Sequence, residues 1–158
     1  MPRTYLTLTL FLIACCSSKA TEPDTVYPVE GPIDVHVVIH PSEHSQFIGD
    51  SREGVYLFFT SRRLYPEGCY QFRTQRDLGS ITLQVQVLSV FRPGEIYCGA
   101  VLAPASATEY LGQLSDGNYA LVLADTLNVY TGILTLDAGD LSVVFPDTSF
   151  FNVKAGLW

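Results

Sequence analysis

The chain has 158 residues, 47% of them apolar, and a formal net charge of −7 from nine Lys and Arg against 16 Asp and Glu. Its length is that of one domain with its own core. The acidic balance excludes nucleic acid as a partner, because nucleic-acid binding needs clustered Lys and Arg, and it argues equally against a polybasic contact with a membrane.

The first residues have the layout of an export signal. Arg3 precedes an apolar run at residues 6–14, and this run is shorter than the 20 or so apolar residues that cross a bilayer. The sequence Leu-Ile-Ala-Cys at residues 12–15 then resembles the lipobox of bacterial lipoproteins. An ordinary cleaved signal peptide is the alternative.

The lipoprotein resemblance implies that residues 1–14 are a signal peptide. It also implies that Cys15 receives the lipid, palmitate included, and becomes the first residue of the mature chain. Cys16 occupies the next position, where Asp would favour retention in the inner membrane, so the outer membrane is favoured if the organism is Gram-negative. The expected location is therefore the bacterial cell envelope, with the membrane contacted through the N-terminal lipid.

Polar residues dominate the segment that follows, and residues 15–31 are predicted to be a flexible tether. Residues 32–158 are predicted to form the folded domain. Within it, alternation of apolar and polar residues or a short apolar run predicts strands at residues 33–40, 55–60, 70–75, 81–91, 97–102, 119–123, 129–136 and 141–145.

Turn-forming residues separate these strands, and helical periodicity is weak everywhere. Residues 103–114 hold the only helical candidate, which Pro104 weakens. Short strands with turns every 8–12 residues are typical of a sandwich or a barrel. The predicted fold class is all-β, an immunoglobulin-like antiparallel β-sandwich of about eight strands.

A second resemblance supports the immunoglobulin-like form. Residues 111–123 resemble the approach to a late strand in uncharacterised bacterial secreted domains, which often have an upstream cysteine, here Cys98. The resemblance implies that Tyr119 is a structural tyrosine corner, with a buried ring and a hydroxyl bonded to an upstream backbone group. Val129 and Ile133 are expected to pack near it.

Cys69 and Cys98 are predicted to form a disulfide, because an exported protein meets an oxidising compartment and their spacing matches no zinc motif. Free buried thiols are the alternative. In a simple meander the two cysteines would lie about 10 Å apart, beyond the reach of a disulfide. A disulfide therefore requires that the chain change sheets, or that strand ends curl together, between them.

Histidines are the first candidates for metal ligands. His36, His40 and His44 lie four residues apart, and Asp34 and Glu43 could add oxygen ligands. Residues four apart on a strand are separated by about 13 Å, however, which is too far to bind one ion. We therefore expect exposed histidines and no metal site.

Ser51 is the first candidate for a nucleophile. It ends a Gly-Asp-Ser sequence similar to the nucleophile motif of GDSL-type esterases, but Arg52 replaces the Leu of that motif. The catalytic His of that family lies near the C-terminus, whereas every histidine here precedes Ser51. The segment is predicted to be a loop, so no catalytic residue, no enzyme activity and no cofactor is expected.

The remaining polar and aromatic candidates have structural explanations. Asp137, Asp140 and Asp147 lack the spacing of a calcium loop, which favours a polar hairpin. Core positions are predicted for Phe58, Phe59, Phe72, Tyr119 and Phe145. A contact patch is the alternative to core for Tyr97, Tyr110, Tyr130, Phe150, Phe151 and Trp158.

The sequence thus predicts a lipid-anchored envelope protein that acts as a non-enzymatic binding or structural module, with a possible protein partner. An inhibitor or adaptor of an extracytoplasmic enzyme is the second hypothesis, using a loop as its contact. A small outer-membrane barrel is the third, and it is disfavoured because most predicted strands are shorter than the 9–11 residues of a membrane strand.

Overall fold

The computed structural model describes residues 25–40, 52–94 and 99–157, and the prediction of an all-β protein is confirmed for them. They contain no helix, and hence none long and apolar enough to cross a membrane. The strands are β1 (Thr25–Tyr27), β2 (Ile33–His40), β3 (Gly54–Tyr65), β4 (Gln71–Leu78), β5 (Thr82–Arg92), β6 (Ala103–Gly112), β7 (Gly117–Ala124), β8 (Val129–Asp137), β9 (Asp140–Val144) and β10 (Phe151–Leu157).

All ten described strands belong to one mixed sheet in the order β10-β2-β3-β6-β4-β5-β7-β8-β9, with β1 paired to β5. Strands β9 and β10 end this order and lie side by side without a hydrogen-bonded ladder, so the sheet is nearly closed into a barrel. The finer prediction, an antiparallel sandwich of eight strands, differs from this arrangement, because the pairings β10–β2, β4–β6 and β5–β7 are parallel.

Backbone pairing within the sheet is sparse between β4 and β6. Their backbones pair only at Gln71 and Ser106. Beyond that point side chains bridge the gap, since Thr74 donates to the Glu109 carboxylate and Arg76 donates to the carbonyl oxygen of Tyr110 at 2.8 Å. One group of strands, β10-β2-β3-β6, is thereby set off from the group β4-β5-β7-β8-β9.

The core is formed by the inward-facing residues of both groups. Alternation along β2 buries Ile33, Val35 and Val37, and alternation along β5 buries Leu83, Val85 and Val87, as the period-two pattern predicts. The other strands add Leu57, Phe59, Phe72, Ala105, Leu111, Leu121, Leu123, Leu134, Leu136 and Phe151.

Three strands differ from the sequence prediction. Residues 99–102, the described part of a predicted strand, are loop, and β6 begins after them in the segment that held the weak helical candidate. Strand β10 was not predicted. Strand β1 lies inside the predicted tether, where three residues gain order by pairing with β5, so the folded domain begins no later than Thr25.

Candidate functional site

The sheet has two ends of different character. We call the end where β1 begins the proximal end, because the chain leaves it towards the N-terminus. Thr25 pairs there with Arg92 at the end of β5. The opposite, distal end holds the β8–β9 turn and the loop between β6 and β7.

Two ion pairs connect separate segments of the chain at the proximal end. The Oε2 atom of Glu67, in the β3–β4 loop, lies 2.5 Å from Nε of Arg92, and both atoms are buried. Arg63 pairs with Glu30 on the segment that follows β1. Each cation is thus matched by a carboxylate from a different part of the chain, which limits the net charge of this end.

Three tyrosines pack below these ion pairs. The ring centroid of Tyr70 lies 4.8 Å from that of Tyr65 and 5.7 Å from that of Tyr27 on β1. Burial raises the pKa of Tyr65, and a hydrogen bond with Tyr27 is the main cause that raises the pKa of Tyr70. The ring contacts of Tyr27 with Tyr65 and Tyr70 add to the backbone pairing that holds β1 on the sheet.

Exposed aliphatic side chains lie at the proximal end, one near the end of β3 and two on the loop before β6. Leu64 is 54% exposed, Val101 is 59% exposed and Leu102 is 70% exposed. Leu64 pairs with Pro104 in the β3–β6 ladder, and Val101 lies beside Gly68. We call Leu64, Val101 and Leu102 the apolar rim.

The distal end contains an open depression of about 260 Å³. Its walls are mainly apolar, and Glu53 and Asp116 add carboxylates. Gly54 allows this shape, because its φ is +148° and a Cβ atom there would overlap the backbone of Gly112. The apolar lining residues are Ile39, Val55, Leu114 and Leu136.

Glu53 and Asp116 line this depression, and further exposed carboxylates lie at the same end of the sheet, so the distal end is acidic. Two of them, Asp137 and Asp140, pair across a tight turn in which Ala138 and Gly139 have φ of 51° and 89°, which is the polar hairpin that the sequence predicts. The exposed carboxylates of this end are Glu53, Asp77, Asp116, Asp137 and Asp140. No group of three potential metal ligands occurs among the described residues.

The histidine hypothesis receives no geometric support from the described residues. His36 is exposed on β2, and the backbone of His40 ends that strand. Asp34 is engaged by Arg62, which donates to it at 2.8 Å, and by Asn152 at 2.6 Å, so it is not available as a free oxygen ligand. His44 lies outside the described residues.

The burial of the aromatic residues differs in part from the prediction. Phe59 and Phe72 are buried as expected, whereas Phe58, Tyr119 and Phe145 are only partly buried. Phe151 is fully buried, and its ring centroid lies 5.0 Å from that of Phe150. This C-terminal pair therefore packs onto the domain instead of forming a contact patch.

Tyr119 has the hydrogen bond that its sequence context implies. Its hydroxyl donates to the carbonyl oxygen of Ser115, four residues upstream, at 2.8 Å. The prediction that Val129 and Ile133 pack near Tyr119 is wrong. Tyr119 pairs with Leu134, whereas Ile133 pairs with Ala120 and faces the other side of the sheet. Val129 pairs with Ala124 and is 69% exposed.

Several predicted residues lie outside the described part of the chain. Cys69 is described and half-buried, but Cys98 is not described, so their pairing stays a prediction. The other residues in this position are Cys15, Cys16, Glu43, Ser51, Tyr97 and Trp158.

Sequence reasoning missed the main features of both ends. Glu67 and Arg92, and likewise Glu53 and Asp116, are distant in the chain and meet only through strand order. Comparison with protein-family models, with curated proteins and with solved structures gives no match for this chain.

Proposed function

We propose that this protein is a lipid-anchored cell-envelope protein that acts as a non-enzymatic binding or structural module. The lipobox-like sequence supports the proposed anchor, and the position of β1 supports the proposed orientation of the domain. Because Thr25 enters the sheet at the proximal end, a lipid on Cys15 would hold that end towards the membrane and direct the distal depression away from it.

The proposed anchor rests on the lipobox-like sequence that ends at Cys15. The envelope location follows from it, with the outer membrane favoured in a Gram-negative organism. The test compares Cys15→Ser with Cys16→Ser in the source bacterium. We expect Cys15→Ser alone to abolish the lipid-sized increase in the mass of the mature chain and its flotation with membranes. Unchanged mass and flotation in Cys15→Ser would refute the anchor.

The proposed binding face is the distal end. An apolar depression bordered by carboxylates suits a partner that presents an apolar side chain among basic ones, since charge complementarity favours association. Capture from envelope extracts identifies the partner. We expect the variant Glu53→Ala/Asp116→Ala to lose that partner, and we expect the control Ile133→Ser, on the outer face of β8, to retain it. Equal capture by both variants would contradict this face.

An inhibitor or adaptor of an extracytoplasmic enzyme is the second candidate, and the β7–β8 loop favours it. Leu127 is 88% exposed, while the buried Asp125 accepts hydrogen bonds from the backbone of Leu127 at 2.6 Å and of Asn128 at 2.7 Å. A braced loop that displays one apolar side chain suits insertion into a cleft. Loss of partner capture in Leu127→Ser, with capture retained in Glu53→Ala/Asp116→Ala, would favour this candidate.

We propose the immunoglobulin-like sandwich as the finer description of the fold. Two observations support it: the single backbone pairing between β4 and β6, which sets off two groups of strands, and the corner-type hydrogen bond of Tyr119. The parallel pairings β10–β2, β4–β6 and β5–β7 distinguish this sheet from an all-antiparallel sandwich.

A further inference from the structure

We propose that the apolar rim docks onto the phospholipid bilayer, so that the domain lies against the membrane by its proximal end. The proposal rests on the proposed lipid anchor for its occupant. Its structural basis is the coincidence, at one end of the sheet, of the chain's exit towards Cys15 and three exposed aliphatic side chains.

The contacts of the proximal end tie the rim to the chain exit. Thr25 pairs with Arg92, and Arg92 contacts Glu67 at 2.5 Å. The next residue, Gly68, lies beside Val101 and donates its backbone N–H to the carbonyl of Gly99 at 3.2 Å. The rim therefore lies close to the point where the chain leaves the sheet, with Leu64 at the end of β3 and Val101 and Leu102 on the loop before β6.

The length of the connecting chain brings this end close to the bilayer. Nine residues separate Cys15 from Thr25. In any conformation, nine residues span at most about 30 Å. The distal end lies a further strand length away, about 36 Å for the 11 residues of β5. The rim thus lies at the end of the sheet that a lipid on Cys15 would hold nearest to the membrane.

Charge favours the same orientation. The ion pairs Arg63–Glu30 and Arg92–Glu67 balance the charges beside the rim. The distal end carries exposed carboxylates, which anionic headgroups repel. Docking is therefore apolar in nature and insensitive to salt, and the high local concentration that the tether imposes makes even a weak contact populated.

A fluorescence experiment tests the contact independently of lipidation. The mature chain, with a hexahistidine tag in place of Cys15, is held on vesicles of phosphatidylcholine, a nickel-chelating lipid and brominated phosphatidylcholine. Leu102→Trp is compared with Ile133→Trp, whose site is a similarly exposed aliphatic residue on the outer face of β8. The emission of the wild-type chain, which has one Trp, is the background.

We expect roughly a twofold loss of emission from the new Trp in Leu102→Trp, because interfacial side chains enter about 5–10 Å into the bilayer, and no loss in Ile133→Trp. High salt should leave this result unchanged. Equal quenching at both positions, or quenching at neither, would overturn the proposal. A protein rather than lipid as the occupant of the rim would give the second of these outcomes.

Hydrogen exchange on the unsubstituted, tagged chain provides a second measurement that does not depend on the folding of a Trp variant. Vesicles should slow exchange in residues 99–104 and leave residues 132–135 unchanged. Unchanged exchange in residues 99–104 would overturn the docking proposal. Because the tag replaces the lipid, neither result depends on whether Cys15 is lipidated, and the Cys15→Ser experiment tests that separately.

Discussion

The backbone N–H of Gly68 donates to the carbonyl oxygen of Gly99 at 3.2 Å, so the residues that adjoin Cys69 and Cys98 face each other. This proximity arises because β6 lies next to β4 in the sheet, instead of on the far side of β5 as in a simple meander. The separation of about 10 Å that a meander would impose does not apply in this topology.

We therefore predict a Cys69–Cys98 disulfide in the exported protein. Closing a loop of about 30 residues should stabilise the domain by roughly 3–4 kcal/mol in the chain-entropy model. With Cys15 and Cys16 removed, the denatured but unreduced protein should contain no titratable thiol, and reduction should lower the urea midpoint. Two reactive thiols before reduction would contradict the bridge. Cys69→Ala/Cys98→Ala should match the reduced protein in stability.

Ser61→Ala should destabilise the domain by about 1–3 kcal/mol, the cost of leaving a buried polar group unpaired. The register of β3 and β6 shifts between Thr60 and Leu64, and Ser61 fills the resulting gap. Its hydroxyl oxygen accepts the buried N–H of Ala105 at 2.8 Å and its O–H donates to the carbonyl of Arg63 at 2.7 Å.

The control for this prediction is Ser142→Ala, which removes an exposed hydroxyl on β9 and should change stability by less than about 0.5 kcal/mol. Urea unfolding followed by circular dichroism compares the three proteins. Equal midpoints for Ser61→Ala and the wild-type chain would show that the Ala105 N–H finds another partner.

The sequence could predict those strands that have one buried and one solvent-exposed face. Most of β2 and most of β5 alternate between apolar and polar residues, and both strands lie close to their predicted ranges. Strand β6 escaped prediction because Ala105 and Ala107 face inwards as small side chains, which give little periodic signal, and Pro104 reads as a breaker although it lies near the start of the strand.

The pairing of distant segments could not be predicted. The short β1 and the parallel β10 depend on partners far away in the chain, and local propensity contains no information on either pairing. The same reason explains why the distal depression was missed: Glu53, Asp116 and Gly139 share it only because β3, β7 and β9 begin at one end of the sheet.

Tyr119→Phe should lower the free energy of unfolding by about 0.5–1.5 kcal/mol, the net value of one hydrogen bond. The hydroxyl holds the carbonyl of Ser115 and thereby fixes the loop that leads into β7. Because the ring is only half-buried, we expect the lower part of this range. Tyr130→Phe is the matched control, since Tyr130 is a half-buried tyrosine whose ring stacks on Phe150. An equal loss of stability in the two variants would argue against a specific role for the Tyr119 hydroxyl.

Asp34→Asn should destabilise the protein at neutral pH and much less in acid. Arg62 donates to the Asp34 carboxylate from Nη2 at 2.8 Å and from Nε at 3.2 Å, and this contact is the main cause that holds the pKa of Asp34 below its ordinary value of 3.8. A carboxyl whose pKa is lower in the folded state stabilises that state above its unfolded pKa, and this stabilisation is lost as pH falls through the folded pKa.

The difference in urea midpoint between wild type and Asp34→Asn should therefore be constant from neutral pH down to about pH 5, and should narrow progressively below about pH 4. In an Arg62→Gln background most of this pH dependence should disappear, because only the hydrogen bond from Asn152 and the charge of Lys154 would remain to lower the pKa of Asp34. A midpoint difference that is the same at pH 7 and in acid, or that survives unchanged without Arg62, would show that the ion pair does not set the behaviour of Asp34.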